Sequence, residues 1–189
     1  MNSIILASQS PRRKQLLEWA EIPFDVMISE TDESFPNELS FEEIAIYIAR
    51  EKAVTVLSKT GEEKTVIAAD TIVVCDNVIL GKPENETDAR YMLGLLSGKT
   101  HDVITGVVIL HQEKEICFYD STEVTFNELS NEQIKYYIDK YKPYDKAGAY
   151  AIQEWIGVVG IKSVKGDFYN VMGLPVNRVV KELTTLGCL

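Results

Sequence analysis

Two long stretches, HDVITGVVILH (101–111) and EICFYDSTEVTF, flank the turn QEKE. Both are rich in β-branched or aromatic residues and read as strands. Joined by so short a connection they predict a hairpin, and a hairpin is stable only when further strands or helices cover it. The other segments supply both. Ile4–Leu6, FDVMI and KTVIAADTIVVC read as strands, with DNVIL a hairpin return after the last. Helices are predicted from Pro11, with Ser8 or Ser10 as the cap, and over FEEIAIYIAREKAVTVLSK behind a capping box of Ser40 and Glu43. GKPENETD reads as loop, ARYMLGLLSG as a helix stopped by Gly98, and NEQIKYYIDKY as a helix capped by Ser130 with Gln133. AGAYAIQEWIGVVGIKSVKG reads as strand punctuated by glycine, and LPVNRVVKELTTLG as a closing helix with Pro175 near its start. Helices interspersed with hairpins predict an α/β or α+β protein with a mixed sheet.

At 189 residues, 46% of them hydrophobic, the chain suits one domain or two intimate lobes. Its net charge of −10 argues against a nucleic-acid or anionic-membrane binder, since either needs a broad basic face. The three cysteines, Cys75, Cys117 and Cys188, share no metal-type spacing, and His101 and His111 are the only histidines. Disulfides, a zinc site and a Cys-His nucleophile are therefore not expected, and buried thiols are. Without a signal-like start or an apolar run of about 18 residues, a cytoplasmic location is expected.

Against that acidic background, LASQSPRRKQLL (6–17) places Arg12, Arg13 and Lys14 in the first turn of a helix. The helix dipole and unpaired N–H groups at that end favour anions, so cations there are slightly unfavourable without one. Two readings follow. Ser8, Ser10 and the guanidinium groups converge on a phosphate, or the arginines are solvated and a serine is only a cap. Asp70 interrupts an apolar strand, where a buried carboxylate needs a cation, a metal or hydrogen bonds, and Thr71 sits beside it. Lys82 lies between Gly81 and Pro83, and Lys52 sits in the helical charge run AREKA on the face of Ile48 and Thr55. Glu30, Asp32 and Glu33 form an acidic loop with hard oxygen donors of the kind magnesium takes. In YDKAGAYAIQ, small residues between aromatics allow close backbone approach to a ligand, and Gln153 is predicted at a strand end with an amide that donates and accepts together.

The ordered set LASQSPRR, Asp32-Glu33, AREKA, AADTIV, GKP, SGKTHDVITGV, YDKAGAYAIQ and GLP, spread over nearly the whole chain, resembles the Maf family of septum-formation-inhibitor-like nucleoside triphosphate pyrophosphatases. The resemblance implies an elongated mixed sheet with flanking helices, two lobes around a deep cleft as in the inosine triphosphate pyrophosphatases, and a possible homodimer. It implies hydrolysis of a nucleoside triphosphate to monophosphate and pyrophosphate with a divalent cation, Mg²⁺ or Mn²⁺. Ser8, Ser10, Arg12, Arg13, Lys52 and Lys82 then hold the triphosphate, Asp70 is the general base, and Glu33 is a metal ligand, with Asp70 a candidate second ligand. Arg13, Thr71 and Gln153 place the chain with the type acting on dTTP and UTP rather than on 7-methyl-GTP. The glutamine amide agrees with that choice, because it meets the acceptor–donor–acceptor edge of uracil with one donor and one acceptor. A nucleotide-binding regulator of cell division with little turnover is the alternative reading.

Overall fold

The computed structural model describes residues 3–29, 31, 32, 34–61 and 63–189. The first half of the chain runs β1 (Ile4–Leu6), α1 (Pro11–Trp19), β2 (Phe24–Val26), α2 (Phe41–Thr60), β3 (Thr65–Cys75), β4 (Val78–Leu80) and α3 (Glu86–Leu96). There follow β5 (Thr100–His111), β6 (Lys114–Phe126), α4 (Asn131–Tyr141), a 3-10 turn (Ala147–Ala149), α5 (Trp155–Gly160), β7 (Ile161–Lys165), α6 (Phe168–Val171) and α7 (Val176–Leu186). The strands form one seven-stranded sheet ordered β2-β1-β3-β5-β6-β7, with β4 paired to β3. β1 runs parallel to both neighbours, Ile4 facing Phe24 on one side and Thr65 on the other, so α1 and α2 serve as the crossovers that parallel strands require. β4 and β7 are antiparallel to their partners, which makes the sheet mixed, as the sequence predicts. No helix among the described residues is long and apolar enough to cross a membrane.

The chain packs as two compact units. One is Met1–Asp70 with Thr105–Asp120 and Gly173–Leu189, and the other is Thr71–Ile104 with Ser121–Met172. In the first, the capping box starts α2 as expected: Ser40 Oγ accepts the Glu43 N–H (3.3 Å) and Glu43 Oε2 accepts the Ser40 N–H (2.9 Å). The helix then buries Ala49, Ala53 and Val56 against Ile5, Ala7, Val66, Ala68, Val108 and Leu110. Burying each valine or larger aliphatic side chain contributes about 1.5–3 kcal/mol. The alanines bring the helix backbone close to the sheet, most of all at Gly106, where a Cβ would lie 2.4 Å from the Ala45 carbonyl carbon and the Ile46 nitrogen.

The second unit is built round Leu93, Leu96, Phe126, Tyr137, Ile138 and Ile156, all fully buried. His101 is packed there too, its ring stacked on Phe126 at 5.6 Å and its Nε2 sharing a hydrogen bond with Tyr150 Oη at 2.7 Å. Burial lowers its pKa from 6.5 to about 4. Unfolded chains therefore take up this proton first. The stability that neutral His101 supports is whole above about pH 6.5 and is lost as pH falls towards about 4, by roughly 2–3 kcal/mol. Urea unfolding of wild type and His101→Gln at pH 7, 5.5 and 4 checks this. The wild-type decline should exceed the variant's by that amount, and parallel declines would show that His101 is not responsible.

Three expectations need correction. The third helix begins at Glu86 rather than Ala89, because Asn85 Oδ1 caps it through the Asp88 N–H (3.0 Å) and Glu86 and Asp88 favour a helix start. Residues 147–160 are not strand: Gly148 (φ 67) and Ala149 (φ 60) turn the chain, and WIGVVG coils as α5. Its β-branched composition misleads, since Gly157 lets the helix sit on the Ile152 carbonyl, where a Cβ would come within 1.8 Å of the oxygen. Only Ile161–Lys165 pairs with β6. Lastly, Cys75 is buried, but Cys188 is half-buried and Cys117 exposed, because strand alternation turns Cys117 outward with Glu115 and Tyr119.

Candidate active site

The opening turn has the expected build in the first unit. Ser10, not Ser8, is the N-cap of α1, its Oγ accepting the Arg13 N–H at 3.4 Å, and Pro11 occupies the first helical position. Ser8 is buried, and its Oγ accepts the Ser10 N–H and an Arg13 guanidinium N–H, both at 3.2 Å. Arg13 is itself buried and donates from Nε to the Gly173 carbonyl at 2.7 Å, so this cation braces the turn against the GLP segment. Arg12 is half-buried, and the first helical turn holds no acidic residue. The end of α1 thus joins the positive pole of a helix to two guanidinium groups, with no carboxylate of its own turn to offset them.

Asp70 is buried within β3, and of the partners open to it the structure supplies a cation, since Lys52 Nζ of α2 lies 2.6 Å from its Oδ1. The two side chains are only 11% and 12% exposed, so water screens the pair weakly. Lys52, which the resemblance puts among the phosphate ligands, supplies in the structure the counter-charge of Asp70. Its helical neighbour Arg50 is tied elsewhere, donating from Nε to exposed Glu115 at 2.7 Å.

In the second unit, two motifs far apart in sequence meet. The Gly148 N–H donates to the Gly81 carbonyl at 3.0 Å, so the turn within YDKAGAYAIQ fixes the loop that carries Lys82, itself exposed. Thr71, half-buried, follows Asp70 on β3. Gln153 does not end a strand: it is exposed at the third position of a four-residue turn closed by the Glu154 N–H on the Ala151 carbonyl at 3.1 Å. Nothing in the sequence pointed to Gly173 as the anchor of Arg13.

Of the acidic loop, Glu30 and Glu33 lie outside the described residues, while exposed Asp32 accepts the Ser34 N–H at 3.2 Å. Among the described residues no group of three or more His, Cys, Asp or Glu is arranged to hold a metal ion. Asp70 still fits one. Magnesium is commonly held by one or two carboxylates together with substrate phosphates, and Asp70 offers a hard, nearly buried oxygen donor.

The family described as "Maf-like protein" matches residues 3–186. The chain is 52% identical over 184 residues to the dTTP/UTP pyrophosphatase of Phocaeicola vulgatus, covering 97% of this chain and 95% of that protein. It is 48% identical over 183 residues to the dTTP/UTP pyrophosphatase of Bacillus cereus, covering 97% and 95%. A solved nucleoside-triphosphatase / dITP/XTP pyrophosphatase of Mycobacterium abscessus aligns over 97% of this chain and 94% of its own, with TM-score 0.45 and 14% identity. With a family match over nearly its whole length and relatives about half identical, the chain belongs to the Maf-like proteins.

Proposed function

We propose that this protein hydrolyses dTTP and UTP to the monophosphate and pyrophosphate. The observation that carries the proposal is 52% identity, over 97% of the chain, to a protein named for that activity. The geometry supports it. A triphosphate carries close to four negative charges, and Ser8, Ser10 and Arg12 at the N-terminus of α1, with Lys52 and Lys82, offer donors and cations for them. Arg13 keeps the serine turn in place through Ser8 and Gly173. Water attacks the α-phosphorus, Asp70 takes the proton that the water gives up, and the bond from the α-phosphorus to the bridging oxygen breaks, releasing pyrophosphate. Lys52 holds the Asp70 carboxylate in one place for that transfer. Asp70 and Glu33 would hold a divalent cation, which when bound neutralises phosphate oxygens and makes water easier to deprotonate. Gln153 reads the base, with Thr71 and Arg13 assisting.

Pyrophosphate release from UTP, dTTP, CTP and 7-methyl-GTP, with and without Mg²⁺ or Mn²⁺, tests the assignment. UTP and dTTP should lead, with metal required. Replacing Gln153 by Glu turns a donor into an acceptor facing a uracil carbonyl, so kcat/KM for UTP and dTTP should fall by about tenfold to a hundredfold. The guanine-type substrate should lose less. An equal fall on all four substrates would leave Gln153 a structural residue.

A further inference from the structure

A glutamine amide turned over serves cytosine as well as uracil, because both bases offer one donor beside one acceptor on that edge. Preference for uracil therefore requires the amide to arrive in one orientation. Gln153, an exposed side chain on a turn, has that only if the turn is fixed.

It is fixed from three sides, all within the second unit. Tyr137 is fully buried, its ring stacked on Tyr141 at 5.0 Å. Its Oη accepts the Ala151 N–H at 3.2 Å and donates its own proton to Glu154 Oε2, so one phenol ties together the first and last residues of the turn. The other carboxylate oxygen of Glu154 faces Lys146 Nζ at 3.4 Å, and Lys146 is buried, with its second partner Asp145 at 2.8 Å. The Ile152 carbonyl lies against Gly157 of α5, and the Glu154 carbonyl accepts the Gly157 N–H at 2.9 Å. Of the four turn residues, only Gln153 presents an exposed side chain.

We propose that Tyr137, Glu154 and Lys146 are positioning residues, a clamp that fixes the turn bearing Gln153 and so sets the discrimination between uracil and cytosine. This rests on Gln153 as the residue that reads the base. The clamp needs no contact with substrate. The part-buried hydrogen bond from Tyr137 to the Glu154 carboxylate is of the strong kind, and losing it lets the turn relax.

The test is a double-mutant cycle read as the ratio of kcat/KM for UTP to that for CTP, with folding followed by circular dichroism. Tyr137→Phe should lower the ratio about threefold to tenfold, chiefly through loss on UTP. Gln153→Ala should lower it at least as far. The double variant should match Gln153→Ala alone, because the clamp acts only through that side chain. Glu154→Ala cuts the clamp at its half-exposed member, should give the same signature, and decides the matter if Tyr137→Phe does not fold. Equal falls on UTP and CTP, or losses that multiply in the double variant, would overturn the clamp and leave base reading by Gln153 intact. A ratio unmoved by Gln153→Ala would overturn both.

Discussion

Asp70→Asn is expected to give a folded protein that still binds UTP and turns it over about a hundredfold more slowly, or worse. The change is nearly isosteric, and an amide oxygen can still accept from Lys52 Nζ, now 2.6 Å from the carboxylate, so the local geometry should survive. What disappears is the ability to take a proton from water. KM should stay level while kcat collapses, the pattern of an interaction used only on the way to the transition state. Steady-state pyrophosphate release, with calorimetry on a non-hydrolysable UTP analogue, separates the two parameters. Near wild-type turnover would remove Asp70 from the chemistry. Recovery at raised Mg²⁺ would show that holding the cation, and not taking the proton, is what the carboxylate contributes most.

Gly106→Ala should damage the first unit severely. The added Cβ meets the backbone of α2, not a side chain that can swing away: the Ala45 carbonyl carbon and the Ile46 nitrogen would both be 2.4 Å off. Either β5 or the helix that carries Lys52 must shift, and the cost should reach or pass about 3 kcal/mol, the upper end for overpacking. Gly94→Ala is the matched control. Gly94 is exposed in α3, a Cβ there meets nothing within 4 Å, and alanine in a helix interior should gain about 0.5–1 kcal/mol. Chemical denaturation of the two variants should shift in opposite directions, and two shifts of the same sign would mean that α2 does not press on Gly106 in solution.

What could be read from the sequence was whatever a few neighbouring residues decide. Ser10 with Pro11, Ser40 with Glu43 and Ser130 with Gln133 each satisfy their own helix start, and each caps its helix. That Asp70 needs a cation, a metal or hydrogen bonds was legible as well, because burial of a carboxylate inside a strand sets that need. Which cation answers was not, since Lys52 lies 18 residues earlier on a helix whose packing brings it there. The same holds for β1 between two parallel partners, for Arg13 on the Gly173 carbonyl and for Gly148 on Gly81. Residues 155–160 were misread because β-branched composition is a local cue, whereas the space that only Gly157 allows beside Ile152 depends on how the turn folds back.

The bond between Arg13 and Gly173 joins residues 160 positions apart. On a ribosome adding about 5–20 residues each second, roughly 8–30 s separate the synthesis of the two. The basic turn is therefore among the first parts of the chain made and, through this bond, among the last completed. A nascent chain halted before Gly173 carries the serines and arginines without the carbonyl that braces Arg13, so the basic turn at the start of α1 is complete only once synthesis has passed the strand Ile161–Lys165.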